Sequence, residues 1–166
     1  MDIDYHKIIT EEFIRENKDE INWEEICICQ KLSEDFIREF HNKVNWEEIS
    51  CCQKLNENFI REFQDKVYWN YISTFQKLSE EFIREFKDEV DWTRISGCQK
   101  LSEKFIREFK NKVNLIYFLN QINFKVSFDK NKNIYRIISN NYCSNYLEFN
   151  EFIDLAIRLI SLKAFK

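Results

Sequence analysis

Residues 69–91 read WNYISTFQKLSEEFIREFKDEVD, and this 23-residue stretch decides the fold because the chain keeps returning to it. Trp23, Trp46, Trp69 and Trp92 stand 23 residues apart. The motif Phe-Ile-Arg-Glu recurs on the same period, starting at Phe13, Phe36, Phe59, Phe82 and Phe105. Gln30, Gln53, Gln76 and Gln99 keep register with it, as do Leu32, Leu55, Leu78 and Leu101, and Ile21, Val44, Val67, Val90 and Val113. Self-similarity at one fixed period, without insertion or deletion, marks a repeat architecture.

Each repeat divides into two helical patterns. Asn45 is placed to cap a helix from Trp46 to about Lys54, with Glu48 completing a capping box, and Asn22 with Glu25 repeats the arrangement. Trp46, Ile49 and Gln53 share one face of that helix, while Glu47 and Glu48 point away. Ser33 then caps a second helix, with Glu34 and Asp35 in its first turn and an apolar stripe of Phe36, Ile37, Phe40 and Val44. Isolated helices shorter than about 12–15 residues are marginal in water, so these must bury their rings against neighbouring repeats. The expected fold is mainly α: an α-solenoid of short helix-turn-helix repeats over residues 1–113.

Beyond Val113 the period fades. Leu115–Ile122 reads as one last first-type helix. Phe124, Val126 and Phe128 alternate with polar residues, and the turn-rich stretch 130–133 leads into Ile134–Ser139, which predicts a β-hairpin. A polar loop, Asn140–Tyr146, precedes an apolar helix over about Phe149–Phe165, with Phe152, Leu155, Ala156, Leu159, Ile160 and Leu162 among its hydrophobic positions. Residues 114–166 are therefore expected to cap the array as a small helix/β-hairpin/helix segment.

Composition narrows the chemistry. The 166 residues include one Gly, no Pro, 16 Phe and 4 Trp, which leaves no material for glycine-rich phosphate loops. Residues 1–113 carry 18 Lys+Arg against 25 Asp+Glu, net −7, and residues 114–166 carry 7 against 4, net +3. An acidic body disfavours tight nucleic-acid binding, which rests on neutralising phosphates. The N-terminus lacks the pattern of a secretory signal, and no apolar run approaches the roughly 18 residues that span a bilayer. Six cysteines then read as reduced thiols, and a cytoplasmic location is expected.

No catalytic set emerges. His6 and His41 are the only histidines, and pairs such as Glu24/Glu25 and Glu47/Glu48 lie on exposed helix faces. Cys27-Ile28-Cys29 and Cys51-Cys52 lack the usual zinc spacing, so neither a metal nor a cofactor is expected. Cys29, Cys52 and Cys98 share a column with Phe75, which predicts an apolar slot, and Cys51 is expected to point outward as the most accessible thiol. The glutamine column, on the apolar side, should bond backbone or a neighbouring repeat and hold the stacking.

Two features carry the candidate binding residues. Arg15, Arg38, Arg61, Arg84 and Arg107 form a ladder that could grip carboxylates or phosphates of an extended partner. Glu11, Glu34, Glu57, Glu80 and Glu103 sit four residues earlier, the favourable helix spacing, so local ion pairs are the stronger reading. In the middle of the array the repeat pattern breaks: Tyr68 replaces the Asn or Asp cap, and Asn70 and Tyr71 replace paired glutamates, with Arg94 following in the next copy. Aromatic and arginine residues are common interface anchors.

The unit Trp-x-x-Ile-Ser-x-x-Gln-Lys-Leu-Ser-Glu-x-Phe-Ile-Arg-Glu-Phe resembles the 23-residue helical repeats of uncharacterised phage, giant-virus and AT-rich bacterial open reading frames. The likeness covers residues 5–113, with departures at Asn17, in place of Phe, and Leu115, in place of Trp. It implies a protein of viral or mobile-element type and brings no activity. The expected function is a non-enzymatic protein–protein interaction scaffold. Its narrower form, by analogy with viral proteins, is an inhibitor that binds a host defence protein. The alternative is a nucleic-acid-binding module using the arginine ladder and the basic C-terminal hairpin.

Overall fold

The computed structural model describes residues 3–121, 124–132, 134–139, 142–144, 147 and 149–164. The chain forms two compact bodies, Met1–Val90 and Asp91–Lys166, so the last full repeat groups with the C-terminal segment. In the N-terminal body, second-type helices α1 (Glu11–Glu16), α3 (Glu34–Glu39), α5 (Glu57–Glu62) and α7 (Glu80–Glu85) alternate with first-type helices α2 (Trp23–Cys29), α4 (Trp46–Cys52) and α6 (Trp69–Phe75). The C-terminal body contains α8 (Trp92–Cys98), α9 (Glu103–Glu108), α10 (Leu115–Gln121), β1 (Lys125–Asp129), β2 (Ile134–Ser139), β3 (Tyr142–Cys143) and α11 (Phe149–Ala164).

Both helix types are shorter than the sequence pattern implies. The first type stops at Cys52 because Gln53 turns extended, with φ −94° and ψ 151°. The second stops at Glu39. Phe40 then leaves helical geometry, and its carbonyl accepts from Lys43 N at 2.8 Å and Val44 N at 3.1 Å, closing a tight turn. Val44 thus reaches the interior through a turn and not along a helical stripe, yet Phe36, Ile37, Phe40 and Val44 are all buried. Side-chain caps hold the starts: Ser33 Oγ accepts from Phe36 N at 3.1 Å, and Asn45 Oδ1 accepts from Glu47 N at 3.0 Å.

The capping box is only half formed. One repeat later Ser50 Oγ accepts Tyr68 N at 2.9 Å. The preceding repeat therefore satisfies the cap's own amide. Glu48 instead accepts from Cys52 Sγ at 3.5 Å.

The glutamine column clamps repeat to repeat. Gln53 Oε1 accepts from Leu32 N at 3.0 Å, and Gln53 Nε2 donates to Cys27 O and Gln30 O, both at 2.7 Å. Gln76 repeats this one period on, accepting from Leu55 N and donating to Ser50 O and Gln53 O. Three hydrogen bonds from one buried amide fix the spacing of neighbouring repeats, because each left unmade would strand a desolvated backbone group. Between these clamps the aromatic rings interlock. Trp46 lies 6.2 Å from Phe59 and 4.8 Å from Phe63, and its indole N–H donates to His41 O at 2.9 Å. Phe36, Phe59 and Phe82 are fully buried, each stabilising the fold by about 1.5–3 kcal/mol.

In the C-terminal body the expected hairpin is present: β1 and β2 pair antiparallel from Lys125↔Ile138 to Asp129↔Ile134. The stretch expected to be a polar loop supplies β3, which extends the sheet to the order β1-β2-β3. Helix α11 buries Phe152, Ile153, Ala156, Ile157 and Ile160 in one core with Ile106 of α9, Leu119 of α10 and Ile137 of β2. Its inward stripe runs through Ile153 and Ile157, with Leu155 and Leu159 only half-buried. The side chain of Leu162, and the residues Ile122 and Phe165, lie outside the described residues. The single glycine, Gly97 in α8, marks a close approach, since a Cβ there would meet the Tyr117 ring of α10 at 2.8 Å.

Replacing Gln53 by Ala strands Leu32 N–H and two carbonyls, and should cost about 2–4 kcal/mol in urea unfolding. Lys54→Ala, at the exposed neighbouring position, should change stability by less than about 0.5 kcal/mol.

Candidate binding face

The arginine ladder is engaged between repeats. Arg15 Nε donates to Glu39 at 2.8 Å, Arg38 Nε to Glu62 at 2.7 Å, and Arg61 Nε to Glu85 at 2.9 Å, each acceptor lying 24 residues further on. The same guanidinium groups lie over the buried rings of Phe36, Phe59 and Phe82 at 5.1, 5.0 and 4.9 Å. Donating to Glu39 and Glu62 raises the pKa of Arg15 and Arg38.

In the N-terminal body the glutamate four residues earlier, expected as the main partner, sits further away, at 3.6 Å for Glu11–Arg15 and 3.8 Å for Glu57–Arg61. It has a second task. Glu11 accepts Ser33 N at 2.7 Å, Glu34 accepts Asn56 N at 2.7 Å, and Glu57 accepts Ser79 N at 2.6 Å, so each one caps the following repeat. Arg84, on α7, lies 3.7 Å from Glu80 and 3.5 Å from Glu81. In the C-terminal body Arg107 donates to Asp154 of α11 and to Glu103, both at 2.8 Å.

The outer positions of the first-type helices are different in kind. Glu24, Glu25, Glu47 and Glu48 have no ion pair among the described residues, in contrast to the carboxylates of the second-type helices. On α6 the same face becomes aromatic. Tyr68 is 45% exposed and Phe75 56% exposed, with Tyr71 half-buried between them. Ring centroids are 6.3 Å apart for Tyr68–Tyr71 and 6.1 Å for Tyr71–Phe75, the latter pair stacked. Tyr71 Oη donates to Glu47 at 3.0 Å, and that hydrogen bond raises the phenol's pKa. Asn70 is exposed beside them. Arg94 is exposed on α8, in the C-terminal body.

Phe75 is not among the sequence candidates, since its column reads only as an apolar slot. The slot faces solvent: Cys52 and Cys98 are exposed and Cys29 is half-buried. The signal was present, because Tyr68, Tyr71 and Phe75 fall at i, i+3 and i+7, a face distinct from Trp69, Ile72 and Gln76. This aromatic face also carries a local cost. Asn22, Asn45 and Asp91 cap their helices through side chains, whereas Tyr68 makes no side-chain cap bond.

Cys51 is half-buried, and the adjacent Cys52 is the exposed one, reversing the expected order. Lost hydration, then Cys51 and Glu48, push the Cys52 thiol up to about 12. Burial and Glu25 raise Cys29. Among the described residues no group of three or more His, Cys, Asp and Glu side chains is arranged to hold a metal ion. No helix among them is long and apolar enough to cross a membrane. No family model, no curated protein and no solved structure matches this chain.

Tyr68→Asn restores the missing cap and should raise stability by about 0.5–1 kcal/mol, read by thermal or urea unfolding. Iodoacetamide should alkylate Cys52 more slowly than free cysteine at about pH 8, because only the thiolate reacts. Peptide mass spectrometry should show the rate still climbing as pH rises towards about 12.

Proposed function

We propose that this protein is a non-catalytic protein–protein interaction scaffold, in which the helix pairs stack as a short-unit α-solenoid and the outer face of α6 is the docking patch. One observation carries the reading: Tyr68, Tyr71 and Phe75 form a solvent-facing aromatic row at the repeat that gives up its helix cap. Local rules are broken where function requires it, and exposed aromatics are typical interface anchors. The flanking carboxylates of α2 and α4 favour a partner with basic residues around an apolar anchor. The narrower form, an inhibitor of a host defence protein, would place this acidic and aromatic face in a basic groove of its target.

The nucleic-acid reading needs guanidinium groups able to meet phosphates. Arg38 and Arg61 each already hold a carboxylate of the next repeat and cover a buried ring, which weighs against it. Heparin retention that falls steeply with salt would reverse that judgement.

The discriminating variant is Tyr68→Asn/Tyr71→Glu/Phe75→Cys, which gives these three positions the residues that stand 23 earlier, at Asn45, Glu48 and Cys52. It should fold at least as well as the parent by circular dichroism and unfolding. Used in parallel as bait, the parent chain should capture a stoichiometric protein that the variant does not. Equal capture by both would remove α6 as the docking patch.

A further inference from the structure

Three of the four tryptophans are followed, 20 residues on, by a lysine: Lys43 after Trp23, Lys66 after Trp46 and Lys112 after Trp92. Lys43 Nζ meets Asp19 at 2.6 Å. Lys66 Nζ lies 5.8 Å from the centre of the Trp46 ring and 3.5 Å from Asn42 Oδ1, and Lys112 Nζ lies 5.6 Å from the centre of the Trp92 ring. At Trp69 the charge is reversed. Glu89 stands where the lysine would, and Asp65, 24 residues before it, stands in the column of Asp19 and Asn42. Asp65, Glu89 and Trp69 border one depression of about 250 Å3, completed by Gln64 and Val67. Among the described residues neither carboxylate has a hydrogen bond or an ion pair, and no cation lies over the Trp69 ring. All five lining residues belong to the N-terminal body.

We propose that Trp69, Asp65 and Glu89 form a binding site for an alkylammonium ion supplied from outside the chain, in the place that a lysine of the protein takes at the other tryptophans. Lys66 and Lys112 show the geometry that such a cation adopts on the ring, where the aromatic quadrupole attracts it. The two carboxylates add acceptors for charge-assisted hydrogen bonds. Charge balance narrows the ligand further. One ammonium answers one carboxylate at Lys43–Asp19, whereas two carboxylates border Trp69, so the fitting ligand carries two ammonium groups. Such a diamine comes either free in solution or as two neighbouring lysine side chains of a partner. A hydrated inorganic dication fits less well, because it has no alkyl stem to lay on the indole. The site shares no residue with the Tyr68, Tyr71 and Phe75 face and does not rest on the role proposed for that face.

The test follows the indole N–H signals of the isotope-labelled full chain by NMR, with the Trp69 signal assigned by its loss in Trp69→Phe. Putrescine should shift that signal saturably, with a Kd of about 1 mM, and leave the other indoles in place. A capped Lys-Gly-Lys peptide is the second probe: tighter binding of putrescine marks a free diamine as the ligand, and tighter binding of the peptide marks the lysines of a partner. Glu89→Lys gives this repeat the side chain of its sisters and should weaken both probes by about tenfold or more while the chain stays folded. Asp65→Asn, matching Asn42, should weaken them by about threefold. No saturable shift of the Trp69 signal with either probe up to about 20 mM overturns the proposal. An equal shift with magnesium chloride, or binding indifferent to Glu89→Lys, overturns it as well.

Discussion

A helix of six or seven residues leaves most of its backbone groups without an intrahelical partner, and nearly every element of this protein is that short. The rest of the structure depends on how those groups are satisfied. In the N-terminal body the answer lies in the adjoining repeat: a glutamine amide meets its backbone, a serine accepts the cap's amide, and a glutamate caps the following second-type helix. The unit of stability is therefore the junction. A single repeat could bury neither its phenylalanines nor its polar ends.

This division of labour sorts the residues. Those that recur every 23 positions are committed to junctions, including the arginines, whose guanidinium groups close over buried rings. Several of those that change between copies lie on the outer faces of the first-type helices, away from the glutamine clamps. The exposed tyrosine and phenylalanine side chains of α6 belong to this second set. Tyr68 among them conflicts with local capping preference, since it makes no side-chain cap bond.

In the C-terminal body a different construction meets the same need. Helix α11 brings Ile153 and Ile157 against Ile106, and Asp154 between them takes the guanidinium of Arg107. An acid presented from a non-repeating helix thus stands in for the glutamate that the next repeat would have supplied.

Sequence alone determined the repeat, its period, the pairing of two helices within it and the residues that line its interior, because periodic apolar spacing dictates which face of a helix is buried. It also determined the hairpin and the final helix, through the change from a helical to an alternating pattern. What it left open was which neighbour satisfies each polar group. Arg38 has acidic residues in reach both within its helix and in the following repeat, and only the packed arrangement puts Glu62 at the guanidinium Nε. The candidate face was legible only in part for a related reason. Tyr68, Asn70 and Tyr71 stand out by breaking the pattern, but an apolar residue such as Phe75 reads as interior until the surrounding helices are in place, since burial is a property of neighbours and not of the side chain.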